Sequence, residues 1–191
     1  MIKNVKLWQL YIFPFLVIVA MGVFEMAKTE YVQSLPFETI AQDTNALAEV
    51  DYRNMDRATV AHVVDGDTIE LSTGEKVRYI GVDTPETKHP SKPVQCFGRE
   101  ASQKNKELVE GKEVLLERDV SETDRYGRLL RYIYLPNPDA TDEAIFVNEL
   151  LIEQGFAQVI TYPPDVKYHE LLLQAQKQAQ KEEQGLWSAC N

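Results

Sequence analysis

Ala58-Thr59-Val60-Ala61-His62-Val63-Val64-Asp65-Gly66-Asp67-Thr68-Ile69-Glu70-Leu71-Ser72-Thr73-Gly74-Glu75-Lys76-Val77-Arg78-Tyr79-Ile80-Gly81-Val82 reads as three short strands parted by two tight turns. Ala58 to Val64 is rich in β-branched and apolar residues, the composition of a strand. Asp65-Gly66-Asp67 is a turn, with Gly66 available for positive φ. Thr68 to Leu71 continues as a second strand. Ser72-Thr73-Gly74-Glu75 is a hairpin turn, and Lys76 to Val82 is a third strand.

Downstream, Asp83 to Pro93 holds three prolines and reads as a loop. Gly98 to Val109 has helical spacing through Ala101, Leu108 and Val109, and Gly111 stops it. Lys112 to Arg118 and Arg128 to Leu135 are two more strands, joined by a polar loop containing Tyr126-Gly127. Phe146 to Gln154 is a helix ended by Gly155, and Phe156 to Ile160 is a short extended piece. Tyr168 to Gln184 is a long helix with Leu172, Ala175 and Ala179 on one face, ended by Gly185. Five strands precede the last two helices with no strand-helix alternation. That order favours an α+β domain over residues 58–190: a small closed five-stranded barrel of OB type with three helices, not a doubly wound sheet.

Upstream, Leu7 to Phe24 is apolar with one polar side chain, Gln9, and follows Lys3 and Lys6. Residues 1–24 therefore read as an apolar helix directing export, either a cleaved signal peptide or a signal anchor lying in the membrane through residues 7–24. Ala20-Met21-Gly22 is a passable but poor cleavage site. Residues 25–57 mix polar and scattered apolar residues around Pro36 and read as a linker. The expected location is extracytoplasmic.

The whole chain has 191 residues, with 20 Lys+Arg against 30 Asp+Glu for a net charge of −10. That balance argues against a protein that wraps DNA electrostatically. It leaves room for an enzyme whose basic groups are concentrated in one site. An apolar fraction of 44% excludes wholesale disorder.

Three clusters carry possible chemistry: Asp65-Gly66-Asp67-Thr68; Arg78 with Asp83-Thr84-Pro85-Glu86; and Thr123-Asp124-Arg125-Tyr126-Gly127-Arg128. Taken singly, each has a bland reading as a turn, a loop start or a hairpin tip. Together they suggest more. Convergence of Asp67, Asp83 and Glu86 would need a cation between them, and hard oxygen donors favour Ca²⁺ or Mg²⁺. The two cysteines and three histidines lack zinc spacing, and His62 and His89 read as surface or packing residues. Arg78 and Arg128 offer forks that match a phosphate. Two arginines, a divalent cation and a water-orienting carboxylate describe phosphodiester hydrolysis.

In order and spacing these clusters resemble the staphylococcal nuclease family, from about His62 to Trp187. The most specific stretch is Val82-Asp83-Thr84-Pro85-Glu86-Thr87-Lys88-His89-Pro90, supported by Phe146-Val147-Asn148-Glu149 and Gly185-Leu186-Trp187-Ser188. The resemblance implies an OB-fold nuclease that cuts DNA and RNA with Ca²⁺ and leaves 3′-phosphates. It implies metal ligation by Asp67, Asp83 and the Thr84 carbonyl, with Asp65 beside them. It assigns catalysis to Glu86, Arg78 and Arg128. Tyr126 and Arg125 would lie near the bound nucleotide, as would Tyr162 if Thr161-Tyr162-Pro163-Pro164 is aligned with a small shift. Single strands should be preferred because their bases can splay and stack on Tyr126. No protein partner is implied, which leaves a monomer. A binding module on the same barrel is the rival reading, but such copies usually lose the acids and arginines that are intact here. Cys96 and Cys190, the only cysteines, are either a disulfide, as an exported pair suggests, or two unpaired thiols.

Overall fold

A computed structural model describes residues 50–87, 93–137 and 140–190. The 1–24 apolar segment, residues 25–49 of the 25–57 linker and residues 88–92 of the proline-rich stretch lie outside the described residues. Among the described residues no helix is long and apolar enough to cross a membrane.

The expected meander is present as β1 (Asp56–Asp65), β2 (Thr68–Leu71) and β3 (Lys76–Tyr79). Strand β1 starts two residues ahead of Ala58, and a 3-10 turn at Tyr52–Asn54 precedes it. The third strand is shorter than its apolar run suggests. The chain turns at Ile80-Gly81, and Val82–Asp83 forms a separate strand, β4. Helix α1 (Gly98–Val109) and strand β5 (Glu113–Glu117) follow, then β6 (Leu129–Asn137), β7 (Ala140–Phe146), α2 (Val147–Glu153), β8 (Gln158–Val159), α3 (His169–Lys181) and a short α4 (Leu186–Ala189). Strand β7 is new. Its sequence, Ala-Thr-Asp-Glu-Ala-Ile-Phe, lacks a β-branched run, and antiparallel pairing with β6 makes it a strand.

The sheet runs β3-β2-β1-β5-β6-β7, and a further parallel pairing of β3 with β6 closes β1, β2, β3, β5 and β6 into a five-stranded barrel. Closure removes the open edges of an antiparallel sheet. The barrel interior is filled by Val60, Ile69, Val77, Val114 and Ile133, all fully buried, with Leu151 and Ile152 of α2 covering one end. Strand β4 pairs with β8, Val82 opposite Val159, which draws residues 158–162 toward the end of β3. Cys96 and Cys190 form a disulfide with a Cα–Cα distance of 5.8 Å, tying the start of α1 to the end of α4.

One buried polar side chain joins α2 to the barrel. Asn148 accepts from the Ile133 N–H at 2.9 Å and donates to the Ile80 carbonyl at 2.8 Å. Both main-chain groups lose their partner if the amide is removed. Asn148→Ala should lower the unfolding free energy by roughly 2–5 kcal/mol in urea titration, far more than an exposed Asn→Ala change.

Candidate active site

Strand register brings the first two clusters together. In the β2–β3 ladder Thr68 faces Arg78, and the Tyr79 N–H donates to the Asp67 carbonyl at 3.0 Å. The Arg78 guanidinium therefore lies against the Asp67 carboxylate, and it also donates to Asp83 Oδ1 at 3.0 Å. Asp67 is 4% exposed, and its carboxylate accepts three further bonds. Thr68 donates its hydroxyl at 3.1 Å. Thr84 donates its N–H at 2.9 Å and its hydroxyl at 3.1 Å. Burial pushes the Arg78 guanidinium below its usual value, opposed chiefly by Asp83 and then by Asp65.

Gly66 is needed for a different reason than the turn suggested. Its φ is not positive. A Cβ there would stand 2.6 Å from Thr84 Oγ1, so only glycine lets the Thr84 loop close over the Asp67 turn.

The third cluster arrives through barrel closure. Arg78 is opposite Leu130 in the β3–β6 ladder, so Arg128, at the mouth of β6, lies on the Arg78 side of the barrel. Asp124 fixes it. Asp124 Oδ1 accepts from the Tyr126 N–H at 2.8 Å and the Arg128 N–H at 3.0 Å, and Oδ2 accepts from Arg128 Nε at 2.7 Å. Burial pushes the Asp124 carboxyl up, but these bonds outweigh it and hold it below the ordinary range. Tyr126 is largely exposed, with the Arg125 and Arg128 guanidinium carbons 4.8 and 5.5 Å from its ring centre. Arg78, Arg125, Tyr126, Arg128 and Tyr162 line one cleft of about 530 Å³. Ile160 and Asp165 line it as well.

Glu86 is on the irregular loop after β4, and its charge adds to the burial that raises the Asp65 pKa. Burial is the larger cause of that rise, opposed by Thr68, Arg78 and Arg128. Asp65, Glu86, Arg78 and Arg128 thus share one electrostatic neighbourhood. Among the described residues no three His, Cys, Asp or Glu side chains form a ready-made metal cage. Two supporting side chains were given no role in the sequence reading, Asp124 and Gln95. The role of Asp124 was visible in its i+2 and i+4 spacing to Tyr126 and Arg128. Gln95, which bonds the main chain of Glu86, left no signal.

A model of the family described as "Staphylococcal nuclease homologue" matches residues 76–189. The chain belongs to that family. It is 38% identical to the thermonuclease of Staphylococcus hyicus over 176 residues, 91% of this chain and 95% of that one. It is 44% identical to the thermonuclease of Staphylococcus intermedius over 131 residues, covering 67% and 74% of the two chains. Endonuclease YncB of Bacillus subtilis (strain 168) is 39% identical over 135 residues, covering 68% and 61%. Family membership accounts for the barrel, which was expected from the order of strands and helices.

The raised pKa of Asp65 has a consequence for stability. A carboxyl with a higher pKa in the folded state costs stability when ionised, so the cost is present above the folded pKa and fades on acidification toward the unfolded value. Asp65→Asn retains an oxygen to accept the Asp67 N–H. In the presence of a chelator it should be more stable than the parent at pH 7, with the difference closing toward pH 4 in urea titrations.

Proposed function

We propose that this phosphodiester-hydrolysing nuclease cuts both DNA and RNA with the help of Ca²⁺, leaves 3′-phosphates, and acts outside the cytoplasm. The observation that carries the reading is the grouping of Asp67, Asp83, Arg78 and Arg128 at one barrel mouth beside a cleft rimmed by exposed tyrosines.

The residues present fit a hard divalent cation. Asp67 and Asp83 already converge on one positive group, the Arg78 guanidinium, and the Thr84 main chain lies against Asp67. Asp67, Asp83 and the Thr84 carbonyl would hold the ion, an all-oxygen set suited to Ca²⁺. When bound, it supplies positive charge that polarises the scissile phosphate.

The chain's own residues do the rest. Arg78 and Arg128 present fixed guanidinium forks to the phosphate oxygens and favour the more highly charged transition state. Glu86 orients the attacking water and accepts its proton. The new bond is between the water oxygen and phosphorus. The bond to the 5′-oxygen breaks, and that oxygen takes a proton from solvent water, while Glu86 later returns its own proton to solvent. Tyr126, backed by Arg125, offers a face on which an unpaired base stacks, and Tyr162 extends it across the cleft. Stacking favours single strands and supplies little base-edge readout. The acidic surface is tolerated because attraction is confined to the cleft. The basic start and apolar run of residues 1–24 support export.

Cleavage of denatured DNA should depend on added Ca²⁺ and stop with EGTA; undiminished cutting in EGTA would defeat the calcium assignment. Glu86→Gln should lose at least about 100-fold in kcat. Arg78→Lys should lose roughly 100–1,000-fold, because an ammonium cannot reproduce the fork. Near-normal rates would remove either role. Fractionation of cells should place the protein outside the cytoplasm, and its size on an immunoblot distinguishes anchor from cleaved signal. Recovery only from the cytoplasm would refute export.

A further inference from the structure

Glu86 is not in a strand or helix, so no ladder of backbone bonds holds it. Gln95 bonds its main chain instead. The Gln95 side-chain carbonyl accepts from the Glu86 N–H at 2.7 Å, and the Gln95 N–H donates to the Glu86 carbonyl at 3.0 Å. Gln95 thus takes both main-chain polar groups of Glu86, as a neighbouring strand would, although the two residues lie nine apart.

The chain around Gln95 is itself fastened at successive residues. The Gly98 N–H donates to the Gln95 carbonyl at 3.1 Å, closing a turn. Cys96 is bonded to Cys190. Phe97 has a φ of 64°, in the left-handed region, and its ring stacks on Phe156 with centroids 5.4 Å apart. A Cβ on Gly98 would lie 2.9 Å from the Pro85 carbonyl oxygen and 3.2 Å from that of Glu86, so glycine there lets α1 begin against the Glu86 loop. The disulfide, the aromatic stack and the close approach join this tetrapeptide to the C-terminus, to the segment after α2 and to the loop it supports.

The geometry points to Gln95 as a positioning residue for Glu86, with the Cys96–Cys190 disulfide fixing the main chain from which Gln95 reaches. This rests on the role given to Glu86 above. The bonds are near the surface, where water can replace a lost partner, so stability is little affected by their loss. Placement is different: an error of about 1 Å in a group that orients water can cost up to about 100-fold in rate. A positioning role and a structural role therefore separate in measurement.

The test uses the full-length protein, denatured DNA and saturating Ca²⁺, with kcat, KM and Tm measured together. Gln95→Ala should lower kcat roughly tenfold while KM stays within about twofold and Tm barely moves. Gln95→Glu keeps an oxygen for the Glu86 N–H and should recover most of the loss. Cys96→Ser with Cys190→Ser should also lower kcat. Adding Gln95→Ala to that pair should cost less than the product of the separate losses, because both act through the same bond. A kcat for Gln95→Ala within about twofold of the parent overturns the proposal. So does a loss that Gln95→Glu shares in full, or one that merely follows a lower Tm. An unchanged kcat in the serine pair overturns the anchoring half. Glu86→Gln is run alongside. Full activity there overturns the role of Glu86 and this inference with it. Activity lost there but kept in Gln95→Ala overturns this inference alone.

Discussion

The Arg78 guanidinium, held between the carboxylates of Asp67 and Asp83, is the contact around which the barrel mouth is arranged. Its three members come from the β1–β2 turn, from β3 and from β4. A largely buried cation without a counter-charge is costly, and so is a buried carboxylate without donors. Each relieves the other, and Thr68 and Thr84 complete the bonding of Asp67. Like charges that would repel in isolation are thereby gathered at one place. A concentration of oxygen donors is what a hard cation requires, which links the geometry to the proposed calcium chemistry.

Barrel closure is the second condition. Parallel pairing of β3 with β6 sets Arg78 opposite Leu130 and so brings in the 124–128 turn from more than forty residues away. Asp124 then fixes Arg128 through its main chain and its guanidinium together. Arg78 is carried on β3 and Arg128 is fixed by Asp124 just before β6, while the exposed Tyr126 rises from the turn stiffened by the same aspartate. Fixed cations and a more accessible aromatic suit the proposed roles of holding one phosphate and accepting varied bases.

The Glu86 loop follows another logic. Around Glu86 it is irregular, and Gln95 bonds its main chain next to the fastened start of α1. Loops of this kind let a scaffold place a side chain, here the proposed water-orienting Glu86, where no strand can reach, at the cost of depending on contacts distant in sequence.

Much of this was legible in the chain itself. Strand-forming runs, turn residues and helical spacing defined five strands, three helices and a barrel, because each signal is local. The carboxylates and arginines stood out because Asp-Gly-Asp, Asp-Thr-Pro-Glu and Asp-Arg-Tyr-Gly-Arg are compact motifs. Pairing decided the remainder. Strand β7 exists because β6 runs on past its pairing with β3 and offers that end to a new partner, which the composition of β7 does not reveal. Lys76 to Val82 breaks at Gly81 because its second part pairs with β8 rather than β2. Gly66 is required by Thr84, eighteen residues on, and not by its own φ. The cysteines allowed two states until their Cα atoms were found 5.8 Å apart. Gln95 is an unremarkable loop glutamine until folding brings it against Glu86. Local propensity is written in neighbouring residues, whereas register, close approach and support depend on which distant segments share space. The sequence alone therefore determined the elements and the chemical groups; the tertiary structure decided how they meet.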